Sequence, residues 1–360
     1  MNENLKKLAY FAYVKCGDNL WVSNIRFNGI YSINLRSGKT LFHGRFERHP
    51  YDKIVIHSYA GKYQNKLFFL PQNGDSIDLF DLDTEVIDSY PIDLWFGASV
   101  GVVAGRVVLD DVVYMLPKST ELVMTTFSLK SRSLKAFGEK AMKNIGRGAV
   151  PEYNTLAINT TYARGKIWFA VFNTNMIASI DLYTEKERIY EISNAKELQT
   201  IKYDGIDFWI GEGINVIRWT PDTGTIERFE NVFLNSQRDD NLISEFVFYG
   251  DYVFAIPQWL GAIVRINKKT KEVYRYMLEI ENYKIIHKWR DLRNAFVYND
   301  FLIINPVGRN YEISINLQTN NINAREYIAK KNTIYQYQGV FYEREYRKLD
   351  SFIDMIQKNV

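Results

Sequence analysis

A single cysteine, Cys16, stands in a chain of 360 residues. It excludes an internal disulfide and any paired-thiol metal or redox motif, and it leaves a reducing compartment, the cytoplasm, as the expected location. The four histidines, His43, His49, His57 and His287, show neither an HExxH pattern nor close ligand spacing, so neither a metal nor a cofactor is expected. Eight prolines and 21 glycines are too few for a collagenous or low-complexity chain. The one apolar run near the N-terminus, residues 8–14, is seven residues long. That is far short of the ~20 that span a bilayer. No small-x-small cleavage pattern follows it, so neither a membrane span nor a leader is expected. Charge of one sign is also missing: 45 basic residues against 42 acidic give a net +3, which supplies no basic stripe for nucleic acid.

Aromatic and β-branched residues, by contrast, are plentiful. Seven Trp, 25 Tyr and 22 Phe make up 15% of the chain, and they recur in a pattern. Ile33-Asn34-Leu35-Arg36-Ser37, Phe80-Asp81-Leu82-Asp83-Thr84, Phe127-Ser128-Leu129-Lys130-Ser131 and Ile180-Asp181-Leu182-Tyr183-Thr184 share one form, an apolar strand end running into a polar turn. Ile217-Arg218-Trp219-Thr220, Val264-Arg265-Ile266-Asn267 and Ile315-Asn316-Leu317-Gln318-Thr319 continue it. Anchored on Leu35, Leu82, Leu129, Leu182, Trp219, Ile266 and Leu317, the spacings are 47, 47, 53, 37, 47 and 51 residues. Each unit contains four short segments with the alternation that buries one face of a strand. Four strands per repeat of this length indicate an all-β fold, a β-propeller of seven four-stranded blades over residues 1–330. Residues 331–360 are expected to supply a closing strand segment and an amphipathic C-terminal helix, with Leu349, Phe352, Ile353 and Ile356 on one stripe.

Segments such as Lys166-Ile167-Trp168-Phe169 and Phe208-Trp209-Ile210-Gly211-Glu212 resemble the repeats of the streptogramin (virginiamycin B) lyase-like propellers. The chain has neither the Gly-Gly pair of kelch repeats nor the Trp-Asp dipeptide of WD40 repeats. The resemblance implies a ring whose centre gathers acidic and histidine residues for a metal-assisted elimination. Among the corresponding second-strand ends only Glu212 carries the acid.

In a propeller the blade-to-blade connections and the loops between second and third strands open at one end. The long connections here, residues 44–52, 91–99, 138–154, 231–241 and 281–293, all belong to that end. Long loops on a rigid scaffold are where binding residues concentrate. These loops, with those between second and third strands, carry Arg26, Phe27, Arg45, Arg48, Trp95, Phe96, Arg147, Trp259, Trp289, Arg290 and Arg309. Indole and guanidinium groups suit ligand faces, so the expected function is a binding scaffold for a protein, a peptide, a glycan or an anionic small molecule. Trp21, Trp168, Trp209 and Trp219 lie in strands and are assigned to packing. The alternative is a lyase or hydrolase with Glu47, His49, Glu212 and His287 as candidate catalytic residues. Gly97-Ala98-Ser99-Val100-Gly101 fits GxSxG, but Val102 and Val103 continue it as strand where a nucleophile elbow needs a helix. Residues 138–154, with Lys140, Lys143 and Arg147, read as a solvated loop.

Overall fold

The computed structural model describes residues 8–25, 28–49, 55–92, 103–117, 123–148, 157–233, 243–258, 262–278, 292–306 and 311–327. They form 28 strands in seven antiparallel sheets, each of four strands consecutive in the chain. Blades 1 to 7 occupy residues 10–44, 57–91, 103–137, 161–191, 198–229, 243–277 and 292–326. First strands of neighbouring blades, such as 1 and 2 or 5 and 6, approach one another, so they form the inner edge of the ring.

The repeat has a local chemical cause in the turn between third and fourth strands. The side-chain oxygens of Asn34, Asp81, Asp181, Asn267 and Asn316 each accept backbone N–H groups two or three residues on. The residue four positions on then donates its N–H back to the carbonyl of that Asx residue. That residue has positive φ in all seven blades: Gly38, Glu85, Arg132, Glu185, Gly224, Lys271 and Asn320. Backbone donors from Thr84 and Asp83, with Lys66 alongside, hold the Asp81 carboxyl at about 2. One further bond fixes the unit: the residue after the Asx position donates to a carbonyl of the turn between first and second strands, as in Leu35 to Asp18 and Lys268 to Asp251. Aligned this way, the equivalents of Leu35 in blades 5 and 6 are Pro221 and Lys268. The apolar anchors Trp219 and Ile266 stand two residues earlier, because burial and turn chemistry select different positions in those blades.

Proline, scarce overall, has a defined place. Pro71, Pro117, Pro257 and Pro306 close the second strands of blades 2, 3, 6 and 7, each opposite the first residue of its blade's inner strand. A proline offers no ladder donor, and at this point the inner strand bulges. The hydroxyls of the bulge residues Ser58 and Ser244 donate to the carbonyls of Pro71 and Ile256.

Each sheet buries both faces, so the core is divided into seven apolar clusters, one in each seam between neighbouring blades. Blade 7 meets blade 1 through Tyr298, Ile303 and Tyr327 packed on Tyr10, Val22 and Tyr31. Arg325 donates to the carbonyls of Leu35 and Arg36 at 2.7 and 3.2 Å, and to Glu312 at 2.7 Å. Burial pushes the Glu312 carboxyl up against the opposing pull of Arg325. The closing strand and helix expected over 331–360 lie outside the described residues.

The loop expected over 138–154 is corrected in its first part. Glu139–Gly148 is a helix, and Ala141, Met142 and Ile145 on one of its faces join the blade 3–4 cluster. Glu139 pairs with Lys143 at 2.7 Å, and Asn144 donates to Glu187 of blade 4 at 2.6 Å. The glycines Gly146 and Gly148 mask this helix in the sequence.

Candidate functional site at the loop end of the ring

The loop end of blades 5 to 7 holds buried polar groups with nothing to bond. Asn305, 2% exposed, is the last residue before Pro306; Gln258, 1% exposed, follows Pro257; Gln199 is the bulge residue of blade 5 and Thr200 its neighbour. Among the described residues, both amide atoms of Asn305, the side-chain carbonyl oxygens of Gln258 and Gln199, and the Thr200 hydroxyl have no hydrogen-bond partner. Each such group costs about 1–3 kcal/mol when left unsatisfied. A fold does not accumulate them without a return, and the usual returns are bound water or a ligand.

The inner strands add charge that is already engaged. The Arg106 guanidinium lies 3.8 Å from the centre of the Tyr59 ring, and Lys202 donates to Glu245 at 3.2 Å and to the Phe246 carbonyl at 2.7 Å. Tyr13 packs on Phe296. Its hydroxyl is pushed well up, first by burial and then by Glu245, with Arg106 opposing. Groups of blades 1, 3 and 6 thus feel one another across the inside of the ring.

A second polar centre lies at the loop end of the seam between blades 1 and 2. His49 comes from the connection between the blades, His57 opens the inner strand of blade 2, and Asp78 lies on its third strand. All three side chains are fully buried. The Nε2 atoms of His49 and His57 lie 2.8 and 2.7 Å from the same carboxylate oxygen, Asp78 Oδ2. Asp78 Oδ1 accepts the hydroxyls of Ser76 and Ser89 at 3.1 and 2.5 Å, and Ser76 Oγ is also 2.9 Å from His49 Nε2. Ser23 of blade 1 meets His57 Nδ1 at 2.8 Å. Burial raises the Asp78 carboxyl, but the bonds from His49 and His57 outweigh it and hold the group well below the usual carboxylate range. Burial also lowers His57, against the pull of Asp78. Phe46 and Phe69 wall the centre, with ring centres 4.4 and 5.3 Å from that of His57.

Among the described residues, those picked from the sequence do not converge on one site. His49 belongs to the blade 1–2 centre. Glu212 lies in blade 5, where it accepts from Arg228 at 2.6 Å and from the Lys196 N–H at 2.9 Å, so the structure does not bring it together with His49. Glu47 and Arg48 are exposed, and Arg48 faces Asp75 at 3.5 Å. Arg45 is partly buried beside Phe46. Arg147 lies in the helix 139–148. Arg26, Phe27, Trp95, Phe96, Trp259, Trp289, Arg290, Arg309 and His287 fall outside the described residues, as does the GxSxG segment. Asn305, Gln258, His57 and Asp78 escaped the sequence reading. A signal did exist for Asn305: it is the one polar residue in the run Phe301-Leu302-Ile303-Ile304-Asn305.

No family model matches the chain, and no curated protein matches it. Solved structures do. A catalytically inactive virginiamycin B lyase from Staphylococcus aureus, with quinupristin, aligns with a TM-score of 0.61 at 12% identity, covering 87% of this chain and 96% of that one. The resemblance seen in the repeats is therefore one of fold. The extracellular domain of a protein described as a hybrid two component system from B. thetaiotaomicron aligns at 0.59 and 14% identity, over 83% of this chain. A second such domain from the same organism aligns at 0.60 and 11%. This chain spans only 37% and 40% of the lengths of those two domains. These neighbours overturn the cytoplasmic location expected from the single cysteine. The same ring is built in extracellular domains, and one thiol without a partner is equally compatible with an oxidising compartment.

Proposed function

We propose that the protein is a binding propeller, one that takes a neutral polar ligand, a peptide or a glycan, at the loop end of blades 5 to 7. The observation that carries this reading is Asn305, a buried amide with neither its donor nor its acceptor used. The side-chain carbonyl oxygens of Gln258 and Gln199 and the Thr200 hydroxyl are orphaned as well, so unpaired polar atoms extend across three consecutive blades. Unpaired neutral amides match the amide groups of a peptide or the hydroxyls of a sugar. An anionic ligand is less well served, because Arg106, Lys202 and Arg48 are each engaged by a ring, a carboxylate or a carbonyl. Trp95, Phe96, Trp259, Trp289 and Arg290, read from the sequence, are proposed to complete the face.

The test uses Asn305→Leu, which keeps the branched four-atom side chain and removes both orphaned polar atoms. Panels of oligosaccharides and of peptides are screened by thermal shift against wild type and variant. The variant is expected to melt at the same temperature as the wild type or higher, since an unpaired amide is removed, and to lose the shift given by the wild type's ligand. A variant that melts lower while keeping that shift would show Asn305 to be structural. Silence of the wild type across both panels would sink the reading.

A further inference from the structure

The blade 1–2 centre presents a problem of proton accounting. A neutral imidazole donates from one nitrogen and accepts at the other. For His57 this works in either tautomer, because Ser23 Oγ, 2.8 Å from Nδ1, can donate or accept. For His49 it does not. Its Nε2 faces Asp78 Oδ2 at 2.8 Å and Ser76 Oγ at 2.9 Å, and its Nδ1 faces Asp75 Oδ1 at 3.5 Å. The carboxylate oxygens only accept, and the Ser76 hydroxyl proton is given to Asp78 Oδ1 at 3.1 Å. Whichever nitrogen of neutral His49 carries the proton, the other turns a lone pair toward an anion. His49 Nδ1 and Asp75 Oδ1 are accordingly buried with no hydrogen-bond partner.

A divalent cation among His49 Nε2, His57 Nε2 and Asp78 Oδ2 removes the conflict. Both ε lone pairs and the carboxylate oxygen would point at the metal, and both Nδ1–H groups would then donate outward, His57 to Ser23 and His49 to Asp75. A ligating histidine whose far nitrogen meets a hydroxyl or carboxylate is the arrangement by which proteins orient such ligands. Asp78 Oδ1 is likewise tied by Ser76 and Ser89. Gly74 lets His49 into place, since a Cβ there would lie 2.8 Å from His49 Cε1. Two imidazoles and one carboxylate suit zinc, whereas calcium and magnesium take oxygen shells. Asp78 Oδ2 sits closer to each nitrogen than the ~3.3 Å edge of a tetrahedron with bonds of about 2.0–2.1 Å, while the three ligand atoms lie within 4.8 Å of one another. Filling therefore needs Asp78 Oδ2 to draw back by about half an ångström and the two imidazole nitrogens to close toward that edge. The enclosed position, under Phe46 and Phe69, fits a clamp between two blades rather than a reaction centre.

We infer that His49, His57 and Asp78 form a structural zinc site that ties blade 1 to blade 2, a reading independent of the ligand face on blades 5 to 7. The test takes untagged protein, strips it with a chelator, and titrates it with Zn²⁺ alone, followed by calorimetry and thermal melting. Co²⁺ serves as a visible spectroscopic substitute. One zinc per chain is expected, with a higher melting temperature and a ligand-field band from cobalt. His49→Gln should lose stoichiometric binding and the cobalt band. Asp75→Asn, at a half-exposed position that leaves all three ligands in place, should bind about 10- to 100-fold more weakly, and it remains informative if a variant of His57 or Asp78 fails to fold. Wild-type protein that binds no stoichiometric zinc overturns the inference. So does zinc bound as tightly by both variants as by wild type, which would place the ion elsewhere.

Discussion

Blades 4 and 5 meet through a buried core of rings and aliphatic side chains, with the Arg164–Asp222 ion pair at the exposed end of the seam, whereas blades 1 and 2 meet through rings below and fully buried ionisable groups above. In the first seam Trp168 lies between Tyr190, Phe208 and Trp219, with ring centres 5.2, 4.7 and 6.0 Å away. Its indole N–H is satisfied by the Ala163 carbonyl at 3.0 Å. In the second, Trp21, Phe69 and Phe80 fill the middle, and the loop end is capped by Asp78 with His49 and His57. The apolar core of the first seam draws its strength from area and shape, so its share of the stability does not depend on pH. The second draws part of its strength from proton-bearing groups at full burial, so its worth depends on pH and on any cation that replaces those protons. Two copies of one repeat can therefore carry different chemistry in the same geometric slot.

The largest blow to this contrast comes from Trp168→Ala. Removing the central ring of the apolar seam should cost about 4 kcal/mol, with no change in the pH profile, read by denaturant titration. Asp78→Asn comes next, at about 3 kcal/mol in metal-free protein near neutral pH, because two buried imidazoles lose their anion. The folded value of Asp78 lies below its unfolded one, so its stabilisation is complete above the unfolded value and lost as the pH falls below about 4. Stability measured against pH should thus fall more steeply in acid for wild type than for the Asn variant. Parallel acid curves would show that the histidines do not hold the carboxylate as described. The smallest effect tests the left-handed turn position common to all seven blades, the two seams' included. Lys271 sits at φ 66°, where Lys271→Gly relieves left-handed strain and should raise stability by about 0.5 kcal/mol, seen as a small rise in denaturant midpoint. A fall instead would mean that the ion pair of Lys271 with Glu227 outweighs the backbone term.

The repeat was legible because its turns are local. Asp81 with Thr84, or Asn316 with Thr319, bond within four residues, so spacing in the chain reports them directly. Blades 5 and 6 were read two residues out of register because Trp219 and Ile266 satisfy the apolar pattern while Pro221 and Lys268 occupy the turn position. The helix over Glu139–Gly148 was hidden by its glycines, and its burial against blade 4 is a tertiary matter. The polar centres were less legible still. His57 and Asp78 are 21 residues apart, His49 and Asp78 are 29, and no short motif joins them. Asn305 and Gln258 looked unremarkable as amides. What marks them is the absence of partners among the described residues, which only the folded chain reveals.

The sequence by itself determined the unit: four strands, an Asx-capped turn with a left-handed residue to close it, and enough aromatic and β-branched side chains to bury both faces of every sheet. These follow from interactions within about fifty residues of chain. The tertiary structure decided which side chains of neighbouring units share a seam, and with that whether a seam is dry, charged or able to hold a cation. That choice belongs to no single repeat, because each seam is built half from one blade and half from the next.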